Sequence, residues 1–510
     1  MPVLYLSTLK AQWGRTLLLV LFALAYASIS FVNHYNFRTA TLDLGLIAQA
    51  VGEVAQLRWP QTTLLLDSPP TPFLGQHFSL TPLLAVPLYY VVGGAWALLL
   101  VQTGALLLGA LGVWRYAQAQ GASPGVCNWA LAFFASQWGI YSALSFDYHD
   151  NVVGAMALPW LALWVGQRRV GPAVAAALVV LLSKENMALW LAFVLLGLAW
   201  QHWRQRAVVA WLAAGALASL GYFVVITQVV MPALDVNHRA FTQVVRYAHL
   251  GPTLPAAVAN VLLHPRLLWD VLLHNTLPDP LYDHIKRELW VAILLSGGWA
   301  LVWRPWYALM LLPILGQKLL SNDFVLWGIN GHYSIELAPV LALAATDALC
   351  SWRWGRIRHL AWAGALASVL LFTLDTFSTR FSRWYTPVTN NPLLPEHYTS
   401  AVPDRAGLCA ALAQVPADVP LSASSSLVPH LLNRQAVYLF PVLRNARLVA
   451  LLREPGEAAA WPLSPEVARQ ALAQFQADAN YRTVYEDAQL VVLARRFAPT
   501  DSAITWKAQP

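Results

Sequence analysis

Four short clusters of polar and ionisable residues interrupt a strongly apolar chain, and their side-chain types suit acid–base and phosphate chemistry. The segment NHYNFRTATLDLGLIAQAVGEVAQ (33–56) carries Asp43, a carboxylate able to act as general base toward a hydroxyl. GQHFSLTPLL (75–84) adds Gln76 and His77 after a turn-forming Gly75; the imidazole could ligate a metal or contact phosphate. FDYHDN (146–151) packs Asp147, His149 and Asp150 into one short turn, an oxygen and nitrogen set suited to Mg, Mn or Zn. LSKENMALW (182–190) places Lys184, Glu185 and Asn186 between apolar runs, and a lysine there can grip a phosphate as a point charge. SNDFVLWGINGHYSIELAP (321–339) holds Asp323, Asn330, His332, Tyr333 and Glu336, with His332 and Glu336 four apart on one helix face.

Each cluster also has an ordinary structural explanation. Asp43 falls in the first turn of a helix expected to begin near Thr41, where an acidic residue suits the helix dipole. Lys184 and Glu185 can simply neutralise each other, His77 can be interfacial, and 146–151 can be a solvated turn. Three ligands from one turn rarely complete a metal site, so a second loop would have to contribute.

The elements that position these residues follow from composition. The chain has 510 residues, 58% hydrophobic and 11% charged. Soluble domains carry roughly 25% charged residues, so this is a polytopic α-helical membrane protein. The 24 tryptophans suit the headgroup zone. The net charge of +7 lies in short inter-helix connections without aromatic interleaving, which disfavours a nucleic-acid partner. Cys127, Cys350 and Cys409 suggest no disulfide framework.

Apolar runs at 16–32, 95–114, 126–144, 151–166, 170–183, 186–200, 207–230, 289–303, 306–320, 332–350 and 360–377 predict about eleven spans. The first, beginning at Thr16, reads as a retained signal anchor. Lys10, Arg15, Arg115, Arg168, Arg169, Arg204, Arg206, Arg304, Arg353, Arg356 and Arg358 fall in one set of connections, with only Asp347 near them. The alternate set holds Asp43, Glu53, Asp67, Asp147, Asp150, Glu185, Asp235, Asp270, Asp279, Asp283, Glu288 and Asp323. The positive-inside rule puts the first set in the cytoplasm and all four clusters outside. Residues 79–93, with Pro82 and Pro87, are then a short re-entrant or juxtamembrane element; a full crossing would invert the bias. Leu42, Leu46, Ile47, Val51 and Val54 would form an apolar face lying on the membrane. The long connection 231–288, with Asn237, His238, Arg239, Arg246 and Tyr247, could form a lid.

The division is thus a membrane domain, 1–377 with outer loop 33–94, and a C-terminal extracytoplasmic α/β domain, 378–510. Strands are expected at 419–424, 436–440 and 447–452, and a short helix at 425–433. A helix follows from Ser464-Pro465-Glu466 through Phe475, then a strand pair at 483–495.

No P-loop, GxGxxG after a strand, CxxC pair, HExxH or GxSxG occurs, which disfavours nucleotide-driven pumps, zincins and serine hydrolases. The ordered series Leu42-Asp43-Leu44-Gly45, GQHFSLTPLLAVPLYY, FDYHDN, LLSKEN, GHYSIELAP and LSASSSLVPHLLNRQAVYLFP resembles a bacterial family of predicted membrane proteins of unknown function, related to the GT-C glycosyltransferases. The resemblance covers nearly the whole chain. It implies a polyprenyl-phosphate-linked sugar donor, action at the outer face of the plasma membrane, and a catalytic base at Asp43. In some members it implies a divalent metal. This chain has Leu44 where better-known branches have a second acidic residue.

The expected activity is therefore transfer of a sugar from a polyprenyl phosphate to an extracytoplasmic acceptor. Asp43 would be the base, and Gln76, His77, Lys184, Glu185, His332 and Glu336 would bind substrate. Asp147, His149 and Asp150 would hold a metal, Mg, Mn or Zn. The rival expectations are a transporter or flippase of lipid-linked or anionic solutes, for which the arginine-dominated inner connections offer few polar residues, and a non-catalytic assembly protein.

Overall fold

With no water to satisfy backbone groups in hydrocarbon, apolar runs of this length are held to helix. The computed structural model describes residues 2–66, 69–236, 242–351, 355–399, 401–434 and 436–496. Asp67, Asn237, His238, Arg239 and Arg353 lie outside the described residues.

Among the described residues, four helices are long and apolar enough to cross a membrane: Gln12–Tyr35, Gly94–Ala119, Arg206–Leu234 and Gly355–Thr379. The pair Leu254–Leu263 and Pro265–Leu273, bent by 105°, could make a fifth crossing. Thr81–Val92, Pro124–Ala135, Val170–Leu181, Glu185–Gln201 and Leu337–Cys350 are apolar but shorter. By length and composition, then, fewer clear spans are present than the eleven expected.

The shortfall has local causes. The run 126–144 breaks at Gln137, whose extended backbone separates Pro124–Ala135 from Trp138–Leu144. The freed polar groups are met from neighbouring helices: Gln137 Nε2 donates to the Ser296 carbonyl (3.0 Å) and Thr373 Oγ1 to the Ser136 carbonyl (2.8 Å). The run 151–166 breaks after Ala155, and 289–303 splits at Gly297. The expected span 332–350 starts at Leu337, not 332, because residues 331–336 form an irregular loop beginning with Gly331 at φ 68°. Residues 79–93 form a short helical element ending at Gly93 (φ 83°), a hinge into Gly94–Ala119. The stretch 254–273 is an elbow of two helices and not a loop. Lys286 Nζ donates to the Val271 carbonyl (2.5 Å) and Trp290 Nε1 to that of Leu272 (3.0 Å), which ties the elbow to the helix Ile285–Leu295.

The membrane-domain core is built from Phe133, Phe134, Trp138, Trp190, Leu341 and Trp362, among others. Outside it, β1 (Gln61–Thr62) and β2 (Thr71–Pro72) pair antiparallel and pin the base of the first loop.

The C-terminal part is a five-stranded sheet in the order β4-β3-β5-β7-β6: β3 (Leu421–Ala423), β4 (Val437–Leu439), β5 (Leu448–Leu452), β6 (Tyr481–Glu486) and β7 (Leu490–Arg495). β3 pairs parallel with β4 and β5, whereas β7 is antiparallel to β5 and β6. The helix Pro465–Ala477 opens as its sequence dictates, with Ser464 Oγ accepting from Val467 N (3.3 Å). An additional helix, Arg405–Gln414, is capped by Asp404 accepting from Gly407 N (2.9 Å). The sheet is not an appendage. Leu421, Leu427 and Val428 join Leu44, Leu46, Ile47 and Val51 of the first loop in one continuous apolar core.

That core corrects one expectation. The helix Leu46–Ala55 packs against Thr81–Val92 and Gly94–Ala119, and Leu46, Ile47 and Val51 are buried in the core shared with the C-terminal sheet, so they face protein and not a membrane surface.

Candidate functional site

Asp43 does not sit in the first turn of a regular helix. It occupies a kink between Thr41–Gly45 and Leu46–Ala55, with φ 62° and ψ −79°. That is the positive-φ γ-turn region, strained for any residue with a Cβ and costing about 1–3 kcal/mol. Its side chain is partly exposed, and its carboxylate has no hydrogen-bond partner among the described residues. The neighbours on either side are fixed instead. Ala40 N donates to Asp147 Oδ2 (3.0 Å), and Gly45 N donates back to the Ala40 carbonyl (3.3 Å).

Asp147, at φ 64°, is also in the left-handed region. Its turn is held from the helix Gly94–Ala119 by the fully buried Gln102, which donates to the Asp147 carbonyl (2.8 Å) and accepts from His149 N (2.8 Å). His149 stacks on His332 (ring centroids 3.5 Å apart), its Nε2 lying 2.5 Å from the Phe146 carbonyl. Asn151 Nδ2 donates to Glu336 Oε1 (2.8 Å), joining the turn to the start of the helix Leu337–Cys350.

GQHF docks on LSKEN. Leu80 N donates to the Leu182 carbonyl (2.8 Å), and Glu185 accepts from the Phe78 amide (3.3 Å) while lying 3.3 Å from His77 Nδ1. Gly75 is required for its lack of a side chain: a Cβ there would lie 2.9 Å from Asp235 N and Leu234 C. Asp150, buried, faces Lys184, His77 and Ser79.

Burial and charge set the protonation states. Burial pushes the Asp147 carboxyl up to about 8, with the Asp43 charge adding to it against the Ala40 hydrogen bond. Burial holds His149 down at about 4, so it is neutral. Burial raises Asp150 to about 6, opposed by Lys184 and His77. For Lys184, burial alone would lower the ammonium, but the carboxylates of Glu185, Asp43 and Asp150 outweigh it and hold the group above its ordinary value. The result is one cation facing a partly exposed carboxylate, with a neutral acid and a neutral imidazole beside them.

The fourth cluster divides. His332, Tyr333 and Glu336 join the site, and Lys318 holds their loop through the Gly328 (3.1 Å) and Tyr333 (3.3 Å) carbonyls. Asp323 lies apart, capping a short helix through Val325 N (3.0 Å) and pairing with Arg246 (3.3 Å). Arg246 belongs to a strap fastened further by Tyr247 Oη to the Gln317 carbonyl (3.0 Å).

All of this gathers at one end of the helices. Glu185–Gln201 starts at Lys184 and ends before Arg204, and Val170–Leu181 runs from Arg169 toward Lys184. Leu337–Cys350 starts at Glu336 and carries Asp347 near its other end. There Tyr116 (2.8 Å), Tyr307 (2.8 Å) and Gln201 (2.9 Å) donate to the Asp347 carboxylate, and Arg304 donates to its carbonyl (3.0 Å).

The family described as "Predicted membrane protein (DUF2079)" matches residues 33–492, the span from the end of the first helix to the last strand. The chain belongs to that family. No curated protein matches it. Two of the solved structures it is similar to are the following. One is ArnT from Cupriavidus metallidurans bound to undecaprenyl phosphate, at 14% identity and a TM-score of 0.48, covering 97% of this chain and 99% of that one. The other is arabinofuranosyltransferase AftD from Mycobacteria, at 14% identity and a TM-score of 0.47, covering 96% of this chain and 40% of that one.

In this DUF2079 protein the expected residues Asp43, His77, Lys184, Glu185, Asp147, His149, Asp150, His332 and Glu336 converge. Gln76 is half-buried and shows no side-chain hydrogen bond among the described residues. The suggested metal trio does not share a point: Asp147 is turned to Ala40, His149 to Phe146 and His332, and Asp150 to Lys184 and Ser79. Among the described residues no group of three or more His, Cys, Asp or Glu side chains is placed to hold a metal ion. Three supporting residues were not singled out from sequence: Gln102, Asn151 and Lys318. Gln102 and Lys318 had a visible signal, each being a polar residue inside an apolar run.

Proposed function

We propose that this is an integral-membrane glycosyltransferase that moves a sugar from a polyprenyl-phosphate donor to a hydroxyl acceptor outside the cytoplasm. The observation that carries it is the strained, unpaired Asp43 carboxylate facing the protonated Lys184. As the acceptor oxygen bonds to the anomeric carbon, its proton passes to Asp43. The bond from that carbon to the phosphate oxygen breaks, and its electron pair leaves with the phosphate. Lys184 stabilises the charge gathering on that leaving group. Neutral Asp147 keeps a second negative charge away from both. His77, held by Glu185, borders the phosphate end, and no step requires a metal from Asp147, His149 and Asp150.

The membrane arrangement belongs to the same proposal. The shorter apolar helices complete about eleven crossings of the bacterial plasma membrane. The end carrying Arg115, Arg204 and Arg304 faces the cytoplasm with the N-terminus, and the site and C-terminal sheet face outward. At that end Asp347 is engaged by Tyr116, Tyr307 and Gln201, which disfavours its serving as a free charge on a transport path.

The test is turnover in proteoliposomes with polyprenyl-phosphate sugars, together with mass spectrometry of copurifying lipids. Asp43→Asn should cut turnover by about 10²–10⁴-fold. Full activity in that variant would remove Asp43 as the base.

A further inference from the structure

The chain leaves β3 toward β4 on one side of the sheet, then crosses to β5 on the other, so the carboxyl end of β3 is where its connections part. In open α/β sheets that crevice is the usual place for a bound ligand. Here Ser424, Ser425 and Ser426 follow β3 directly, and the segment lying against them is the chain's own Thr41–Gly45 turn. Thr41 Oγ1 donates to the Ser425 carbonyl (2.9 Å), and Thr41 N donates to Ser425 Oγ (3.3 Å). Thr41 is 1% exposed and Ser425 0%, so water does not compete for either bond.

Ser425 is itself fixed, its amide donating to the Ala459 carbonyl (3.0 Å), while Ser424 Oγ accepts from Leu452 N (3.1 Å). Beyond Asp43, Leu44 is fully buried in the core shared with Leu427 and Val428, and a Cβ at Gly45 would lie 3.6 Å from Val428 Cγ1 and 3.7 Å from Pro429 Cγ. On the near side, Arg38 donates to the carbonyls of His397 (2.6 Å), Glu396 (3.1 Å) and Thr399 (2.6 Å). The strained residue is therefore gripped immediately before and after by the C-terminal part, and by Asp147 of the membrane domain at Ala40.

We infer that the C-terminal domain is a working part of the site. Ser425 is a positioning residue that acts through Thr41 to set the Asp43 turn, and the sheet's ligand crevice serves as the socket for that turn. The inference rests on Asp43 being the base.

Its test uses the full chain in lipid nanodiscs, with hydrogen exchange of the amides of residues 41–45 read by mass spectrometry. Thr41→Val, nearly isosteric, and Ser425→Ala should each speed exchange about five- to thirtyfold, and Thr41→Ser should restore protection. With a synthetic polyprenyl-phosphate hexose as probe, kcat should fall by about tenfold in Thr41→Val with KM little changed, and should recover in Thr41→Ser. Unaltered exchange in Thr41→Val and Ser425→Ala overturns the socket. Faster exchange with unaltered kcat, where Asp43→Asn abolishes turnover, overturns the positioning role and leaves the base standing. Turnover surviving in Asp43→Asn overturns the base, and with it the positioning of one, whatever the exchange shows.

Discussion

Asp147→Asn probes the charge logic of the site. The native carboxyl is raised from 3.8 to about 8, mainly by burial. The unfolded chain therefore ionises first, and the protonated native form is favoured relative to it. Stability is lost as pH rises from about 4, and the loss is complete above about 8. Four units correspond to a ceiling on the order of 5 kcal/mol at about 1.36 kcal/mol per unit. Asp147 is only part-buried, so solvent screening brings the measurable part to about 1–3 kcal/mol. Asparagine keeps an oxygen for the Ala40 amide and cannot ionise. Thermal unfolding in detergent, followed by tryptophan fluorescence at pH 6 and pH 9, should show a clear drop in Tm for the native chain and a much smaller one for Asp147→Asn. The pH–rate profile in proteoliposomes should lose its alkaline limb near pH 8 in the variant. If native and variant chains fall alike between pH 6 and 9 in both measurements, Asp147 is not the group kept neutral beside Asp43.

Gln102→Leu removes both buried hydrogen bonds that hold the Asp147–His149 backbone and leaves a carbonyl and an amide unpaired, which should cost about 2–4 kcal/mol and lower Tm; an unchanged Tm would show the turn is held elsewhere. Cysteines at positions 43 and 204, in a background lacking Cys127, Cys350 and Cys409, should react with impermeant maleimide from opposite sides of sealed vesicles; labelling from the same side would end the proposed sidedness.

Charge scarcity made most of the site legible. In a chain this apolar, a polar residue stands out, and the series through His77, Asp147, Lys184 and His332 is gathered at one end of the helices as expected. The C-terminal strands were equally legible, since VPLSAS, AVYLF and RLVALL are short apolar runs bounded by turn residues. Span integrity was not. The breaks at Gln137 and Gly297 depend on side chains reaching across from other helices, and that information is tertiary. The helix Leu46–Ala55 misled for a related reason: its apolar face fits a membrane surface as well as a protein one, and only its packing on Thr81–Val92 and Gly94–Ala119 decides between them.

The backbone at Asp43 explains why such a cover is needed. An unrestrained aspartate would relax out of φ 62°, ψ −79°, gaining about 1–3 kcal/mol. Relaxation here would withdraw Leu44 and Leu46, both buried, from the shared core, at roughly 1.5–3 kcal/mol for each side chain. It would also break two buried hydrogen bonds to Ser425, at about 1 kcal/mol each. The balance favours the strained turn by a few kcal/mol, but only while the sheet is docked. A carboxylate aimed by strain keeps its direction without spending its own lone pairs on a hydrogen bond, which leaves them free for an incoming proton.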